Sequence, residues 1–356
     1  MYDILTINPG STSTKFAVYN DTKEILTKVV RHDPDELEKF GGVINEFEYR
    51  KNLILKSLQE NKIDIKLIKC VVGRGGLVRK VGCGTYRVNE KMLNDLRNPY
   101  LWGRIHASNL GAFIAKAIAK ETGIPAFIAD PITVDEFLDV ARISGIPQIE
   151  RESLQHTLNI RYTSIKMAKE MGKNLMDLRI IGVHMGGGIS IASIASRRIL
   201  DVNNALLGMG PFSPQRAGAL PIGDLIDLCY AQRYTKKQIK DYLSKRAGWT
   251  AYLGTDDCNE VEHRIIRGDK RAKLIHNAMC YQIAKEIGAA ATVLRGKVDV
   301  IFLTGGLAHG KMIVEEISKR VDFIAPIRVY PGEFEMEALA QAGMRVLTGE
   351  EEELEY

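Results

Sequence analysis

Short apolar strands alternating with amphipathic helices, laid out twice along 356 residues, predict an α/β fold made of two copies of one unit. Three observations carry that prediction. The chain opens on two strands joined by a turn of small and hydroxyl residues, over 2–19. The same strand, small-residue loop and strand recur from Arg179. After each hairpin come helical stretches and buried strands whose ends carry glycines or charges.

In the first copy, apolar residues run up to Ile7, Asn8 to Ser13 form the turn, and Thr14 to Tyr19 alternate again. Gly10 lets backbone approach a ligand, Ser11, Thr12 and Ser13 offer donors, and Lys15 adds a positive charge. Such a turn suits phosphate oxygens; an ordinary hairpin turn, polar because turns are polar, is the other reading of this stretch alone. Asn20 to Lys23 turn the chain into a third strand, Glu24 to Val30. Residues 34–61 are charged and helical in period, with Phe40, Ile44 and Phe47 on one side. Leu67 to Val72 is apolar without alternation, a buried strand, and it ends in Gly73-Arg74-Gly75-Gly76. His106 to Thr122 carries Leu110, Phe113, Ile114, Ala117 and Ile118 in one stripe, stopped by Gly123 and Pro125. Ala126 to Ala129 then delivers Asp130 at a strand's carboxyl end.

The second copy has strands at Arg179–His184, Ile189–Ile194 and Ile199–Val202, with Met185-Gly186-Gly187-Gly188 as the first turn. A long helix over about 269–294 follows, then a strand over 298–303 and the loop Thr304-Gly305-Gly306. Gly305 to Met312 nearly matches the phosphate-loop pattern G-x-x-x-x-G-K-[ST], but Met312 replaces the hydroxyl, and a thioether is no ligand for Mg²⁺. Thr304-Gly305-Gly306 reads instead as a turn against which a flat adenosine can lie, with Lys311 exposed on the following helix. Two such copies are expected to face each other, their hairpins gripping one polyphosphate; a duplicated scaffold that binds nothing leaves the glycine and hydroxyl loops unexplained.

The length fits two domains or one unusually large one, and 45% hydrophobic with 26% charged residues fits an ordinary soluble globular protein. A formal charge of +5 is small, and no basic run interleaved with aromatics points to nucleic acid. The five cysteines are scattered, with no C-x-x-C, and read as reduced, mostly buried thiols of a cytoplasmic protein. Neither a signal peptide nor a membrane-spanning stretch is expected. Glu350 to Glu353 and Glu355 read as a solvated tail.

I-N-P-G-S-T-S-T-K at 7–15, H-M-G-G-G at 184–188 and L-T-G-G at 303–306 resemble the acetate and butyrate kinases, the acetokinase family. V-V-G-R-G-G, F-I-A-D-P, R-E-S-L-Q-H, P-F-S-P-Q-R-A-G and Y-P-G-E-F-E fall in the order of the butyrate kinase branch, so the likeness covers nearly the whole chain. Acetate kinases have H-L-G-N-G where His184 to Gly188 stand, and are usually longer. The resemblance implies two duplicated ribonuclease H-like, actin-like ATPase domains with a nucleotide cleft between them. Domain I is expected at 1–155, with a helix and tail over 335–356 packing back on it. Domain II, nucleotide-binding, is expected at 156–334.

Chemistry agrees with this resemblance. A carboxylic acid with a pKa of about 4 to 5 is already ionised at neutral pH, so the nucleophile needs no general base. The difficulty is bringing two anions together, which positioned cations and a metal solve. Arg74 suits a bidentate grip on the substrate carboxylate, and Arg216, in Pro214-Gln215-Arg216-Ala217-Gly218, suits the transferring phosphoryl group. The resemblance assigns the same roles. His184, ending a strand before the triple glycine, could donate to phosphate. By resemblance His156 assists the transition state and Asp130 lies near the transferring group, orienting groups or binding Mg²⁺ through water. The other histidines, His32, His106, His263, His276 and His309, read as structural. By resemblance too, Asn8 and a late glutamate, Glu335 or in another register Glu333, are metal-proximal. Ser11, Ser13, Lys15, Gly186, Gly187, Gly188, Gly305 and Gly306 are expected to contact the nucleotide, with Asp256 or Asp257 nearby.

The expected activity is direct in-line phosphorylation of butyrate by ATP with Mg²⁺, with no phosphoenzyme, reversible towards ATP, and with the domains closing to exclude water. Isobutyrate or acetate are the alternative acids, and an actin-like ATPase switch or a sugar kinase the alternative classes. Small molecules are the expected partners, with no nucleic acid and no membrane. By resemblance the protein is a homo-oligomer.

Overall fold

The computed structural model describes residues 2–103 and 105–356. It divides the chain into two units, Met1–Asp135 with Phe334–Tyr356, and Glu136–Glu333. Unit 1 holds strands β1 (Asp3–Pro9), β2 (Ser13–Asn20), β3 (Lys23–Arg31), β4 (Ile68–Arg74), β5 (Thr85–Arg87) and β6 (Ala126–Ala129), ordered β3-β2-β1-β4-β6-β5. β1 pairs antiparallel with β2 and parallel with β4, so the hairpin loop and the end of β4 lie at one end of the sheet. Leu5, Ile7, Phe16 and Val71 are buried beneath the helices Leu110–Thr122 and Phe47–Glu60. The helix Glu335–Leu347 packs on β1 and β4, close because Gly343 faces Val72 and Cys70 without a side chain of its own.

Unit 2 repeats this plan. Its strands β7 (Arg179–Met185), β8 (Ile189–Ala195), β9 (Arg198–Val202), β10 (Val300–Gly305) and β11 (Ile327–Pro331) are ordered β11-β10-β7-β8-β9. Reversed, that is the β3-β2-β1-β4-β6 order of unit 1, with β7 and β10 parallel as β1 and β4 are. The long helix Lys270–Val293 lies on β7, β8 and β9, burying Ile283 and Ile287 against Ile181 and Ile191. The helix Thr157–Glu170 packs on β7 and β10. β10 is followed by a 3₁₀ turn over Gly306–His309 and then the helix Lys311–Val321, with Lys311 exposed at its start.

Four local expectations differ from the structure. Residues 34–61 form no single helix: Gly41, at φ +64°, and Gly42 break it into Pro34–Glu38, a 3₁₀ turn at Val43–Glu46, and Phe47–Glu60. Only Cys70 and Cys280 of the five free cysteines are buried, while Cys229 is exposed. The acidic end is docked rather than solvated: Leu354 exchanges backbone hydrogen bonds with Thr85 and Arg87, both 2.9 Å. Glu351 pairs with Arg345 and Glu353 with Arg87, and the Tyr356 hydroxyl donates to Asp95. Finally, unit 2 begins at Glu136, whereas the expected boundary was 155/156. Arg151 ties to Asp201 at 2.7 and 3.0 Å, and Leu138 N–H donates to Leu200 C=O at 3.0 Å, drawing 136–155 onto β9. Among the described residues, no helix is long and apolar enough to cross a membrane.

Candidate active site

In unit 1, Arg74 ends β4 among glycines, and their role is close packing. A Cβ on Gly73 would stand 2.2 Å from the Gly111 carbonyl oxygen, one on Gly75 2.6 Å from Pro131, and one on Gly76 2.5 Å from Asn109. Missing side chains thus let β4 and the start of helix Leu110–Thr122 meet, which fixes where Arg74 emerges. Its Nη1 donates to Glu335 Oε1 at 2.5 Å and to Asn8 Oδ1 at 3.2 Å. Asn8 Nδ2 in turn donates to the other oxygen of Glu335. Asn8, Arg74 and Glu335 therefore form one cluster at the end of β1 and β4. Glu335, the first residue of its helix, is the partner of Asn8, and Glu333 belongs to unit 2.

The loop between β1 and β2 is built so that its acceptors face inward. Arg50, 1% exposed, donates through Nη1 to Gly10 O (2.8 Å) and Ser13 O (3.0 Å), and through Nη2 to Ser11 O (3.0 Å). The Thr12 carbonyl accepts from His32 N–H at 2.9 Å. All four loop carbonyls are thus engaged, while Ser11 and Thr12 stay exposed. Lys15 is opposite Asn8 in the β1–β2 register, and Ser13 is two residues before it, so all three share a sheet face. Asp130 directly follows β6, at 4% exposure and a strained φ of +39°, and accepts from Gly84 N–H at 2.9 Å.

In unit 2, His156 and His184 stack with ring centroids 4.0 Å apart and planes 17° off parallel. His156 Nδ1 is 2.9 Å from Ser190 Oγ, and Ser190 pairs with His184 across β7 and β8. Gly186 N–H closes the turn on Gly188 O at 3.0 Å. Arg216 lies against this turn: a Cβ on Gly188 would sit 2.1 Å from its Nη1. Ser213 holds the arrangement, donating to Gly187 O at 2.6 Å and accepting from Arg216 N–H at 3.1 Å.

A pocket of about 420 Å³ opens beside the turn, walled by Gly186, Gln215, Asp256, Gly306, His309 and Glu333. That volume falls within the range of small-molecule sites. The two glycines after Thr304 differ. Gly305, at φ +90°, is packed on the Met185 main chain, whereas Gly306 has nothing within 4 Å of its Cβ position and presents the open face. Asp256 accepts from Gln215 at 2.5 Å, while Asp257 caps the helix Cys258–Ile266. Burial, with Glu262 and Asp257 adding to it, pushes the Cys258 thiol up to about 12, so that pocket residue stays protonated.

Sequence reasoning missed three residues here. Arg50 and Ser213 are not singled out in the sequence, and His309 reads as structural. The one available signal was for His309, which falls in the stretch that nearly matches a phosphate loop. Among the described residues, no three His, Cys, Asp or Glu side chains stand within reach of one metal ion.

The duplicated sheet topology, each copy opening on a hairpin with a small-residue loop, is the fold of the actin-like ATPases. The acetate kinase of Porphyromonas gingivalis superposes with a TM-score of 0.81 over 98% of this chain and all of that one, at 20% identity. The chain belongs to the acetokinase family, whose pattern matches residues 150–347. It is 50% identical to butyrate kinase 2 of Clostridium acetobutylicum over 355 residues, 100% of this chain and 99% of that one. It is 48% identical to butyrate kinase 1 of the same organism over the full length of both.

Proposed function

We propose that the chain transfers the γ-phosphoryl group of ATP to butyrate, giving butyryl phosphate and ADP. A carboxylate oxygen attacks phosphorus as the bond to the β–γ bridging oxygen breaks, and the released charge stays on ADP. Full-length likeness to two butyrate kinases carries the choice of acid. Arg74 meets the acid's carboxylate, its guanidinium already oriented by Asn8 and Glu335. Arg216 meets the transferring group, His184 and His156 donate beside it, and Asp130 orients groups there without removing a proton. Ser11, Ser13 and Lys15 take phosphate oxygens. Gly186, Gly187, Gly188, Gly305 and Gly306 shape the nucleotide's place in unit 2, where Gly306 is the open contact.

Mg²⁺ fits the donor set of unit 1. One carboxylate and one carboxamide, Glu335 and Asn8, are too few for a closed cage but suit an ion that arrives on nucleotide phosphates. When bound it would neutralise phosphate charge. We also propose a homo-oligomeric, cytoplasmic enzyme. Helix Ile222–Tyr230 buries no residue and leaves Ile222, Ile226 and Tyr230 at 51–81% exposure, an apolar face that a second copy would cover.

Incubation with ATP, Mg²⁺, hydroxylamine and a panel of acids tests the activity. Hydroxamate from butyrate, with less from acetate, is expected. ADP release without hydroxamate, independent of the acid, rejects it in favour of an ATPase switch, and phosphorylation of sugars in favour of a sugar kinase.

A further inference from the structure

Arg50, outside the proposed catalytic set, makes six side-chain hydrogen bonds. Its guanidinium is buried in the helix Phe47–Glu60, and the buried Glu46 carboxylate takes Nε at 2.9 Å and Nη2 at 2.6 Å. The remaining donors go to Gly10 O, Ser11 O and Ser13 O, with Thr14 Oγ1 at 3.1 Å as a fourth contact. A buried ion pair is a poor source of stability, because desolvation offsets its attraction. This one does something more specific: one planar fork collects three successive-turn carbonyls that would otherwise repel a phosphate. With Thr12 O held by His32 N–H, the loop has no free carbonyl left to turn outward.

We infer that Arg50, set by Glu46, is a positioning residue for nucleotide phosphate: it holds the carbonyls of Gly10, Ser11 and Ser13 inward while Ser11 and Thr12 stay exposed. Arg50 touches no substrate and acts through the loop. Lysine in its place keeps the charge but not the fork, so it cannot gather the same carbonyls. The inference rests on the reading of this loop as a phosphate site, and the two are separable by experiment.

ATP and ADP affinities by calorimetry, KM for ATP and for butyrate, kcat, and amide exchange at residues 10–14 are measured for Arg50→Lys and for Ser11→Ala/Ser13→Ala. Arg50→Lys is expected to raise KM for ATP about tenfold or more while kcat and the butyrate KM move less than about threefold, as the loss of one charge-assisted contact set predicts. Exchange at 10–14 should quicken while the rest of unit 1 stays protected. Guanidinium ion at millimolar concentration should restore ATP affinity to Arg50→Ala. If Arg50→Lys does not fold, Glu46→Gln/Arg50→Met, which leaves no buried charge unpaired, takes its place with the same expectations. Unchanged ATP affinity and unchanged loop exchange in the folded variant overturn the inference. If the serine double variant keeps full ATP affinity, the phosphate reading of the loop fails instead, whatever Arg50 does.

Discussion

The two hairpin loops occupy equivalent places in duplicated sheets, yet they are held by opposite means. In unit 1 the loop carries hydroxyls, and an arginine behind it, buried, fastens every carbonyl but that of Thr12. In unit 2 the loop is all glycine, it closes on itself through Gly186 and Gly188, and its arginine lies in front, half-buried against the turn. Duplication therefore preserved topology while the chemistry at the loop diverged. The first loop has its carbonyls fastened from behind; the second, bare of side chains, leaves room for the Arg216 guanidinium to come close.

That contrast breaks most sharply at Arg216. Arg216→Ala should lower kcat by at least about a hundredfold, as removal of a transition-state contact does, while ATP binding by calorimetry stays largely intact. Near-normal turnover would show that the arginine in front of the second loop is as structural as the one behind the first. A smaller effect separates the glycines. Gly188→Ala puts a methyl where Arg216 Nη1 lies, so kcat should drop about tenfold or more through displacement of that guanidinium. Gly10→Ala meets only Ser13 at 3.4 Å and needs no unusual φ, so kcat/KM should stay within about twofold. Equal damage from both would mean that the first loop also depends on bare backbone.

Much of this was legible in the sequence because it is local. Alternation, turn residues and the repeat of strand–loop–strand are read from neighbours, and the order β3-β2-β1-β4-β6 recurs in the second copy as the pattern promised. Arg74 and Arg216 stood out because glycines and prolines framed them. What depended on distant packing stayed hidden. Arg50 reaches back forty residues to Gly10, His309 joins Gly186 only through the folded sheet, and the tail meets an edge strand some 270 residues earlier. The acidic composition of that tail argued for solvation, but Leu354 and Tyr356 supply the anchors and Arg87 and Arg345 the counter-charges.

The C-terminal tail belongs to unit 1. Leu354 packs over Gly84, whose N–H holds Asp130, so the tail braces the strained Asp130 through one intermediary. Leu354→Ala should cost about 1–2 kcal/mol, lowering the melting temperature of unit 1 by a few degrees. Proteolysis should then cut near the terminus first. Unaltered melting would mean that the ion pair of Glu353 with Arg87, a partly exposed contact of small worth, carries the docking without the leucine.

The smallest effect comes from His32, which sits behind the first loop. The ring is 5% exposed and shares a hydrogen bond with Thr14 Oγ1 at 2.8 Å. Burial first, then the neighbouring Arg50 guanidinium, depress its pKa to about 4 against the opposing pull of Glu36. Between pH 6.5 and 4 the unfolded chain therefore binds a proton that the folded chain refuses. By linkage, stability falls as pH drops through that window and is independent of this group above it. Thermal melts of the native chain and of His32→Gln from pH 7.5 to 5 should diverge only below about pH 6.5, the native chain losing more, with a slope difference of at most one proton. Parallel curves would mean that His32 accepts its proton in place, and that the ring is held less firmly than its burial beside a guanidinium requires.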